Sequence, residues 1–316
     1  MSRFLSEPNV AKESSTIYAN NMTIATSCMQ GWRETMEDIE IIQPSLHPST
    51  PETCCVGVFD GHGGSAVSKA AANTILKQLF ETKEFKNDPK TSESLTVALC
   101  KSFISTDEAL REDPEIGPVC DEVGSTGLVA IITPTDIVVA NVGDSRCILS
   151  NTKCTDMIQL SMDHKPDADF EKQRILSAGG TVFRGRVCGG VAVSRSFGDF
   201  WFKRNAAMKP HQQLVTAEPC IRLHRRSADD EFLFLACDGI YDVMTNEQIR
   251  KFIQKKLRQG TKFSAQEICE EIINECLVKG SRDNMSVILV LFNDRGGPKS
   301  NGNNSFGVKS TIFRKK

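Results

Sequence analysis

The order of apolar and polar residues along the chain predicts strands and helices that fall into separate blocks. Apolar runs typical of buried strands lie at 55–59, 127–150, 232–237 and 285–292. The second of these runs reads as two or three strands, with TPTD (133–136) as a turn. Residues 16–32 are partly apolar and strand-like, whereas residues 1–17 are mostly polar. We therefore expect a poorly ordered N-terminal segment ahead of a strand-rich domain.

Apolar residues at helical spacing predict the helices. They occur as a pair within 65–111, a short helix at 169–180 that ends at paired glycines, and a second pair within 245–279. Ser65 is a candidate N-cap for the first helix. Thr245 with Gln248, and Ser264 with Glu267, fit the capping box in the second pair. The sequence therefore marks the start of three of these helices.

The arrangement of these blocks predicts the fold class. Strands follow one another through turns more often than through crossover helices, which argues against a regular parallel sheet. An α+β fold is expected instead, with two mostly antiparallel sheets packed as a sandwich and a helix pair over each side. The predicted architecture is a four-layer α-β-β-α sandwich.

Composition and charge exclude several classes of protein. The chain has 316 residues, is 40% hydrophobic and 25% charged, and carries a net charge of −2. That charge gives no general attraction to nucleic acid or anionic lipid. No apolar run reaches the roughly 18 residues of a membrane span, and MSRFLSEPNV lacks both a signal-peptide core and the Met-Gly of myristoylation. We expect no nucleic-acid partner and no membrane anchor.

The cysteines and the C-terminal segment bear on location. The twelve cysteines are scattered, form no CxxC, and mostly lie inside apolar runs. They predict free thiols in a reducing compartment, and so a cytoplasmic or nuclear location. Residues 294–316 form a basic low-complexity tail, for which a solvated, disordered segment is favoured over a docking or nuclear-import element.

Carboxylates recur at the boundaries of the predicted buried elements. They are Glu37 with Asp38, Asp60, Asp144, Asp238 with Asp242, and Asp283. Any one of them alone is explained by an Asx-turn or a helix cap. Together they indicate strand ends that converge on one cleft, where only protonation or a bound cation would relieve the repulsion. All-oxygen ligands select Mg²⁺, Mn²⁺ or Ca²⁺, and the dispersed histidines argue against zinc.

Eight motifs in order resemble those of the metal-dependent Ser/Thr protein phosphatases of type 2C, the PPM family. They are RETMED (33–38), VFDGHGG (58–64), GSTG (124–127), NVGDSR (141–146), DHKP (163–166), VSRSFGD (193–199), ACDGIYD (236–242) and SRDNMSVILV (281–290). The resemblance covers residues 18–293, which we take as the catalytic domain. It leaves 1–17 and 294–316 outside, and it implies the same four-layer fold.

The resemblance also implies a site with two Mg²⁺ or Mn²⁺ ions. Asp60 would bridge both ions and Gly61 would lend its carbonyl; Asp238 and Asp283 would bind one ion, and Glu37 and Asp38 would act directly or through water. Asp144, Asp238 and Asp242 would match a weaker third site. An activated water would then hydrolyse phosphoserine or phosphothreonine in line, without a covalent intermediate.

The family pattern assigns the remaining roles. Arg33 would hold the phosphate, although a surface salt bridge to Glu34 or Glu37 is the simpler reading of that residue alone. His62 would be the general acid. The simpler interpretation of that residue alone is a solvated loop histidine. Arg186 would add positive charge at the rim of the cleft, and residues near 165–200 would form a flap next to it.

Asp199 is expected to hold the base of this flap rather than a metal. We expect a monomer that acts on phosphoproteins. The alternatives are an inactive phosphoprotein-binding pseudophosphatase and a different metal phosphohydrolase, such as a nuclease.

Overall fold

The structure, a computed structural model, describes residues 4–292. The strands are β1 Phe4–Ala19, β2 Met22–Arg33, β3 Ile39–Gln43, β4 Cys54–Phe59, β5 Gly61–His62, β6 Gly124–Ser125, β7 Gly127–Ile132, β8 Asp136–Val142, β9 Arg146–Asn151, β10 Ile158–Gln159, β11 Val182–Phe183, β12 Arg186–Val187, β13 Phe197–Gly198, β14 Cys220–Arg225, β15 Asp230–Ala236 and β16 Met285–Phe292. The helices are α1 Ala66–Glu81, α2 Lys83–Asn87, α3 Ser92–Glu112, α4 Asp169–Ser177, α5 Asp238–Tyr241, α6 Asn246–Leu257 and α7 Ala265–Val278. Short 3₁₀ helices occupy Phe200–Phe202, Pro210–Gln212 and Gly260–Lys262. Within the described range, no helix has both the length and the apolar character that crossing a membrane requires.

Two large antiparallel sheets form the centre of the molecule. One has the strand order β1-β2-β16-β15-β9-β10 and the other β14-β8-β7-β4-β3. A small sheet of order β13-β6-β5 and a hairpin of β11 and β12 complete the topology. Each paired strand in these sheets is antiparallel to its neighbour.

A helix pair covers the outer face of each large sheet. Ile75 of α1 and Phe103 of α3 pack in one core with Val129 of β7. Ile272 of α7 packs in another core with Phe234 of β15. The predicted four-layer α-β-β-α sandwich is confirmed.

Strand β4 illustrates why the central strands read as unbroken apolar runs. Its residues are all buried, and alternate side chains point to opposite faces. Val56 and Val58 enter the core between the sheets, while Cys55 and Phe59 enter the core beneath the helices. Because both faces are covered, the strand ends at a fixed depth in the molecule, and Asp60 follows it directly.

Local helix signals were largely confirmed. Thr245 with Gln248, and Ser264 with Glu267, form complete capping boxes at the starts of α6 and α7. Ser65 occupies the N-cap position of α1, but its side chain makes no capping hydrogen bond. Its backbone carbonyl accepts a hydrogen bond from the Lys69 N–H, which is the first bond of the helix ladder.

The prediction of a poorly ordered N-terminal segment was wrong. Strand β1 pairs with β2 along most of its length and forms one edge of the six-stranded sheet. Most of its side chains are exposed or half-buried, so its sequence carries little apolar signal. Its pairing rests on backbone hydrogen bonds, which residue patterns do not reveal. The predicted tail at 294–316 lies outside the described residues.

Candidate active site

The strand-end carboxylates converge at one end of the sandwich. Asp60 follows β4, Asp144 follows β8, Asp238 begins α5 just after β15, and Asp283 precedes β16. Oxygen atoms of Asp38 and Asp60 and the Cys237 sulfur lie within 4.8 Å of one another. Antiparallel neighbours bring these particular ends together, so residues far apart in sequence share one cleft.

Asp60 is fixed through its backbone. Its N–H donates to Thr126 Oγ1 (3.0 Å), and its carbonyl accepts from the Thr126 N–H (2.8 Å). The Ser125 hydroxyl also donates to that carbonyl. The GSTG motif therefore serves to hold Asp60, a role that sequence reasoning did not assign.

The carboxylates of this cluster repel one another. Burial raises the pKa of Asp60 well above its ordinary value, and the charges of Asp38, Asp238 and Asp144 raise it further. The pKa of Asp238 is raised by burial first and then by Asp144 and Asp283. Two such charges about 4 Å apart cost roughly 4 kcal/mol at an effective dielectric of 20. At neutral pH this cleft favours binding a cation.

Asp38 gives the clearest test of whether a metal fits. It is 4% exposed, and its Oδ2 accepts a hydrogen bond from Ser286 Oγ (2.8 Å). Its Oδ1 is buried and has no hydrogen-bond partner among the described residues. Burial raises its pKa to about 6. An unpartnered buried carboxylate oxygen beside Asp60 suits a hard divalent cation, so the residues present fit the group that the sequence predicts.

Arg33 pairs with Asp283 rather than with either predicted alternative, Glu34 or Glu37. Its Nη2 lies 2.5 Å from Asp283 Oδ2, and its side chain is 37% exposed. Burial lowers the pKa of Arg33, but the negative charge of Asp283 outweighs this and the net change is a rise. A permanently charged guanidinium thus stands at the open side of the carboxylate cluster.

Glu37 is occupied by local hydrogen bonds. Its Oε1 accepts from Thr35 Oγ1 (2.7 Å), and its Oε2 accepts from the Gly64 N–H (3.1 Å). Its backbone carbonyl would lie 2.6 Å from a Cβ at Gly61, so glycine is required for the approach of these two segments. Glu37 and Gly61 are therefore adjacent, as predicted for the site.

Asn284 is a residue that sequence reasoning missed. Its Nδ2 donates to the carbonyls of Gln30 and Thr35, and its Oδ1 accepts from the Glu37 N–H (2.9 Å). It joins the end of β2 and the segment after it to the start of β16, and so it sets where Glu37 stands relative to Asp283. Its position inside the motif SRDNMSVILV was the only available signal.

The predicted third-site carboxylates are also close together. Asp144 is buried, and its charge raises the pKa of both Asp238 and Asp242, after the larger effect of burial. Lys165 forms an ion pair with Asp144. Sequence reasoning noted the DHKP motif but missed this lysine as a counter-charge.

His62 pairs with Asp199 through Nε2 and Oδ2 (2.8 Å). The Asp199 side chain is 3% exposed and that of His62 is 32% exposed. Asp199 was predicted to hold the base of a flap, but the contact with His62 was missed. Burial would lower the pKa of His62, and the opposing charge of Asp199 raises it overall.

No contact among the described residues connects Arg186 to the carboxylate cluster. It lies in the β11–β12 hairpin, is exposed, and its Nη1 donates to the Gly190 carbonyl (2.6 Å). This hairpin belongs to the segment that follows α4. The stretch that precedes α4 lies near Asp144, because the His164 N–H donates to the Gly143 carbonyl (3.0 Å).

Comparisons with known proteins agree with this fold. Protein phosphatase 1A of Homo sapiens is 36% identical over 295 residues, covering 92% of this chain and 76% of that protein. Protein phosphatase ppm-1.A of Caenorhabditis elegans is 36% identical over 307 residues, covering 92% of this chain and 64% of that protein. A phosphatase crystal structure from Toxoplasma gondii superposes with a TM-score of 0.76 at 28% identity, covering 90% of this chain and 96% of that one. This chain is thus of the protein phosphatase class.

The family follows from a more specific match. The profile described as Protein phosphatase 2C matches residues 22–285. This chain therefore belongs to the protein phosphatase 2C family, and the predicted enzyme class of protein-serine/threonine phosphatase is confirmed.

Proposed function

We propose that the protein hydrolyses phosphoserine and phosphothreonine in phosphoproteins, using two Mg²⁺ or Mn²⁺ ions held by the carboxylate cluster. The observation that carries this proposal is the convergence of Asp38 and Asp60, with the unpartnered buried Oδ1 of Asp38 beside them, and the proximity of Asp238, whose charge raises the pKa of Asp60. Hard cations and phosphate oxygens are matched partners for such a site. Arg33 and His62 supply the cationic and proton-donating groups beside it.

The metal ligands are proposed from the residues present. Asp60 would serve both ions with the Gly61 carbonyl nearby, Asp238 and Asp283 would hold one ion, and Glu37 and Asp38 would act directly or through water. When bound, the ions would supply a water molecule activated for in-line attack on phosphorus. A third, weaker ion would take Asp144, Asp238 and Asp242, and it would have to displace Lys165 from Asp144. That competition is a physical reason for weak binding at the third position.

Arg33 is proposed to bind the phosphate. Its Nη2 is used by Asp283, while its Nε is buried without a partner among the described residues. A guanidinium held from one side keeps N–H groups for two oxygens of a phosphate. His62 is proposed to donate a proton to the leaving serine or threonine oxygen. Arg186 is proposed only as a contribution to charge at the rim.

The first experiment measures phosphate release from a phosphothreonine peptide with Mn²⁺ or Mg²⁺ present, and again after EDTA. We expect turnover that needs the added cation and returns when it is restored. Duplex and single-stranded DNA serve as competing substrates, for which we expect no hydrolysis. Equal activity with EDTA, or preferential cleavage of DNA, would refute the proposal.

Replacing Arg33 by alanine is expected to raise KM for a phosphopeptide by roughly 10- to 100-fold, because a charge-assisted contact of about 1.5–3 kcal/mol is lost. The Mn²⁺ concentration for half-maximal activity should not increase, since removing a cation beside Asp283 leaves that site more negative. Steady-state kinetics over a Mn²⁺ titration gives both values. Arg222→Ala, an exposed arginine of strand β14, is the matched control. An unchanged KM with a higher Mn²⁺ requirement would mean that Arg33 only orients Asp283.

The pseudophosphatase alternative is not supported, because the carboxylates predicted to bind metal are all present. The cytoplasmic or nuclear location and the monomeric state stay predictions.

A further inference from the structure

We propose that Asp199 is a positioning residue that fixes the ring of His62 through Nε2, so that Nδ1 is the atom that delivers the proton to the leaving oxygen. The inference rests on the proposed function, because it concerns which atom of the proposed general acid acts. It assigns roles to Asp199 and to His62 Nδ1, neither of which belongs to the carboxylate cluster.

The contact joins a buried carboxylate to a partly exposed ring. His62 Nε2 and Asp199 Oδ2 are 2.8 Å apart, and Ser196 Oγ donates to the same Oδ2 at 2.5 Å. Asp199 Oδ2 therefore accepts from two donors, which fixes its orientation. Although burial alone would raise the pKa of Asp199, His62, Ser196 and Lys203 lower it overall, in keeping with an ionised acceptor. An ionised carboxylate can only accept, so Nε2 carries the hydrogen.

Backbone pairing holds these two side chains in register. In the small sheet, Gly198 of β13 lies opposite Gly124 of β6, and Gly124 lies opposite His62 of β5. The Asp199 N–H also donates to the Val123 carbonyl (3.1 Å). Three motifs that are distant in sequence thus place His62 of β5 and Asp199, which follows β13, on opposite sides of the central strand β6.

Gly124 provides the space for this pair. A Cβ at that position would overlap both Asp199 Oδ2 and His62 Nε2. The glycine in GSTG is therefore required by the approach of two side chains as well as by the strand pairing. Asp199 itself has a left-handed backbone (φ +51°), which a bulky residue would adopt only with strain.

The assignment of Nδ1 follows from the chemistry of imidazole. When a buried carboxylate holds one ring nitrogen, it sets the tautomer and the ring angle, and the other nitrogen is left to exchange protons. Within the described residues, Nε2 is the His62 nitrogen engaged in a hydrogen bond, and the side chain is about one-third exposed (32%). The remaining nitrogen, Nδ1, is thus left for the substrate. The ring donates as the imidazolium, with a hydrogen on each nitrogen, and after Nδ1 gives its proton to the leaving oxygen the neutral ring keeps the hydrogen on Nε2.

The decisive variant is Asp199→Asn, assayed with Mn²⁺ at saturation on a phosphothreonine peptide and on p-nitrophenyl phosphate. A threonine alkoxide needs a proton as it leaves, whereas p-nitrophenolate is stable without one. We expect kcat for the peptide to fall roughly 100-fold or more, the general acid's usual contribution, with a much smaller loss for the aryl phosphate. KM and the Mn²⁺ requirement should change little. Combining Asp199→Asn with His62→Gln should cost no more than His62→Gln alone, because both act through one group.

Asp107→Asn is the matched control. Asp107 is also buried, and it holds the same segment by accepting from the Gly198 N–H (2.9 Å) and from Lys203 Nζ (2.9 Å). It makes no contact with His62 among the described hydrogen bonds. If Asp199→Asn acted only by loosening this segment, Asp107→Asn would lose activity as well, and the loss would be equal on both substrates. If Asp199→Asn does not fold, Ser196→Ala removes one donor from the same oxygen and should give a weaker form of the same substrate selectivity.

An NMR measurement separates this inference from the proposed function. In ¹⁵N-histidine-labelled protein with Mg²⁺, we expect the His62 hydrogen on Nε2 in the wild type and in Asp107→Asn, and its loss or shift in Asp199→Asn. This readout needs no turnover, so it decides the pairing even if the protein released no phosphate. Equal loss on both substrates in Asp199→Asn, or a wild-type His62 with its hydrogen on Nδ1 alone, would overturn the assignment.

Discussion

Replacing Asp60 by asparagine is expected to lower kcat for a phosphothreonine peptide by at least about 10³-fold, while the protein stays folded. Losing the carboxylate that would bridge both cations removes several kcal/mol of charge stabilisation, and about 4 kcal/mol corresponds to three powers of ten. The fold should persist because Asp60 is held through its backbone by Thr126, and because asparagine has nearly the same shape. Phosphate release and circular dichroism on the same preparation test both halves.

Asp136→Asn is the matched control for that variant. Asp136 is also a buried aspartate at a strand boundary, but it begins β8, whereas Asp144 follows the end of that strand. Its Oδ2 accepts a hydrogen bond from Thr135 Oγ1 (2.6 Å). We expect normal turnover in this control. Normal turnover in Asp60→Asn as well would refute the assignment of Asp60 as the bridging ligand.

Removing divalent cations is expected to destabilise the protein, and more so at pH 8 than at pH 5. Burial raises the pKa of Asp38 to about 6, and the pKa of Asp60 and Asp238 is raised as well. The metal-free folded state therefore holds protons that the unfolded state releases. Its stability from these groups is full at low pH and is lost as the pH rises through about 6, by about 3 kcal/mol for Asp38 alone.

Bound cations should cancel this dependence, because they neutralise the same carboxylates. Free Mg²⁺ at about 100 times its dissociation constant would add about 2.7 kcal/mol to the free energy of unfolding. Thermal unfolding with EDTA or Mg²⁺ at several pH values gives the comparison. In EDTA, Asp60→Asn should unfold at a higher temperature than the wild type at pH 8, since one buried charge is gone. If EDTA leaves the thermal midpoint unchanged at pH 8, the buried carboxylates do not hold a cation.

Local sequence predicted most of the secondary structure. The apolar runs became β4, β15 and β16, and the capping boxes mark where α6 and α7 begin. These signals succeed because both constraints are local. A strand buried on both faces needs a continuous run of apolar residues, and the free N–H groups at the start of a helix are capped by residues of the same turn. Strand β1 was missed because its stability comes from pairing with β2, and an edge strand with exposed faces needs few apolar residues.

For the site, the sequence by itself determined which residue types stand at the strand ends, and the resemblance supplied their roles. Only the tertiary structure decided the contacts between them. His62 and Asp199 are 137 residues apart, and Arg33 and Asp283 are 250 apart, yet each pair is in hydrogen-bond contact. Spacing along the chain carries no information on such pairs, because sheet order and backbone register set them. Local sequence therefore determines the helices, the strands and the residue types at their ends. The partner of each proposed catalytic or metal-binding side chain depends instead on how the two large sheets and the small β13-β6-β5 sheet bring distant strand ends together.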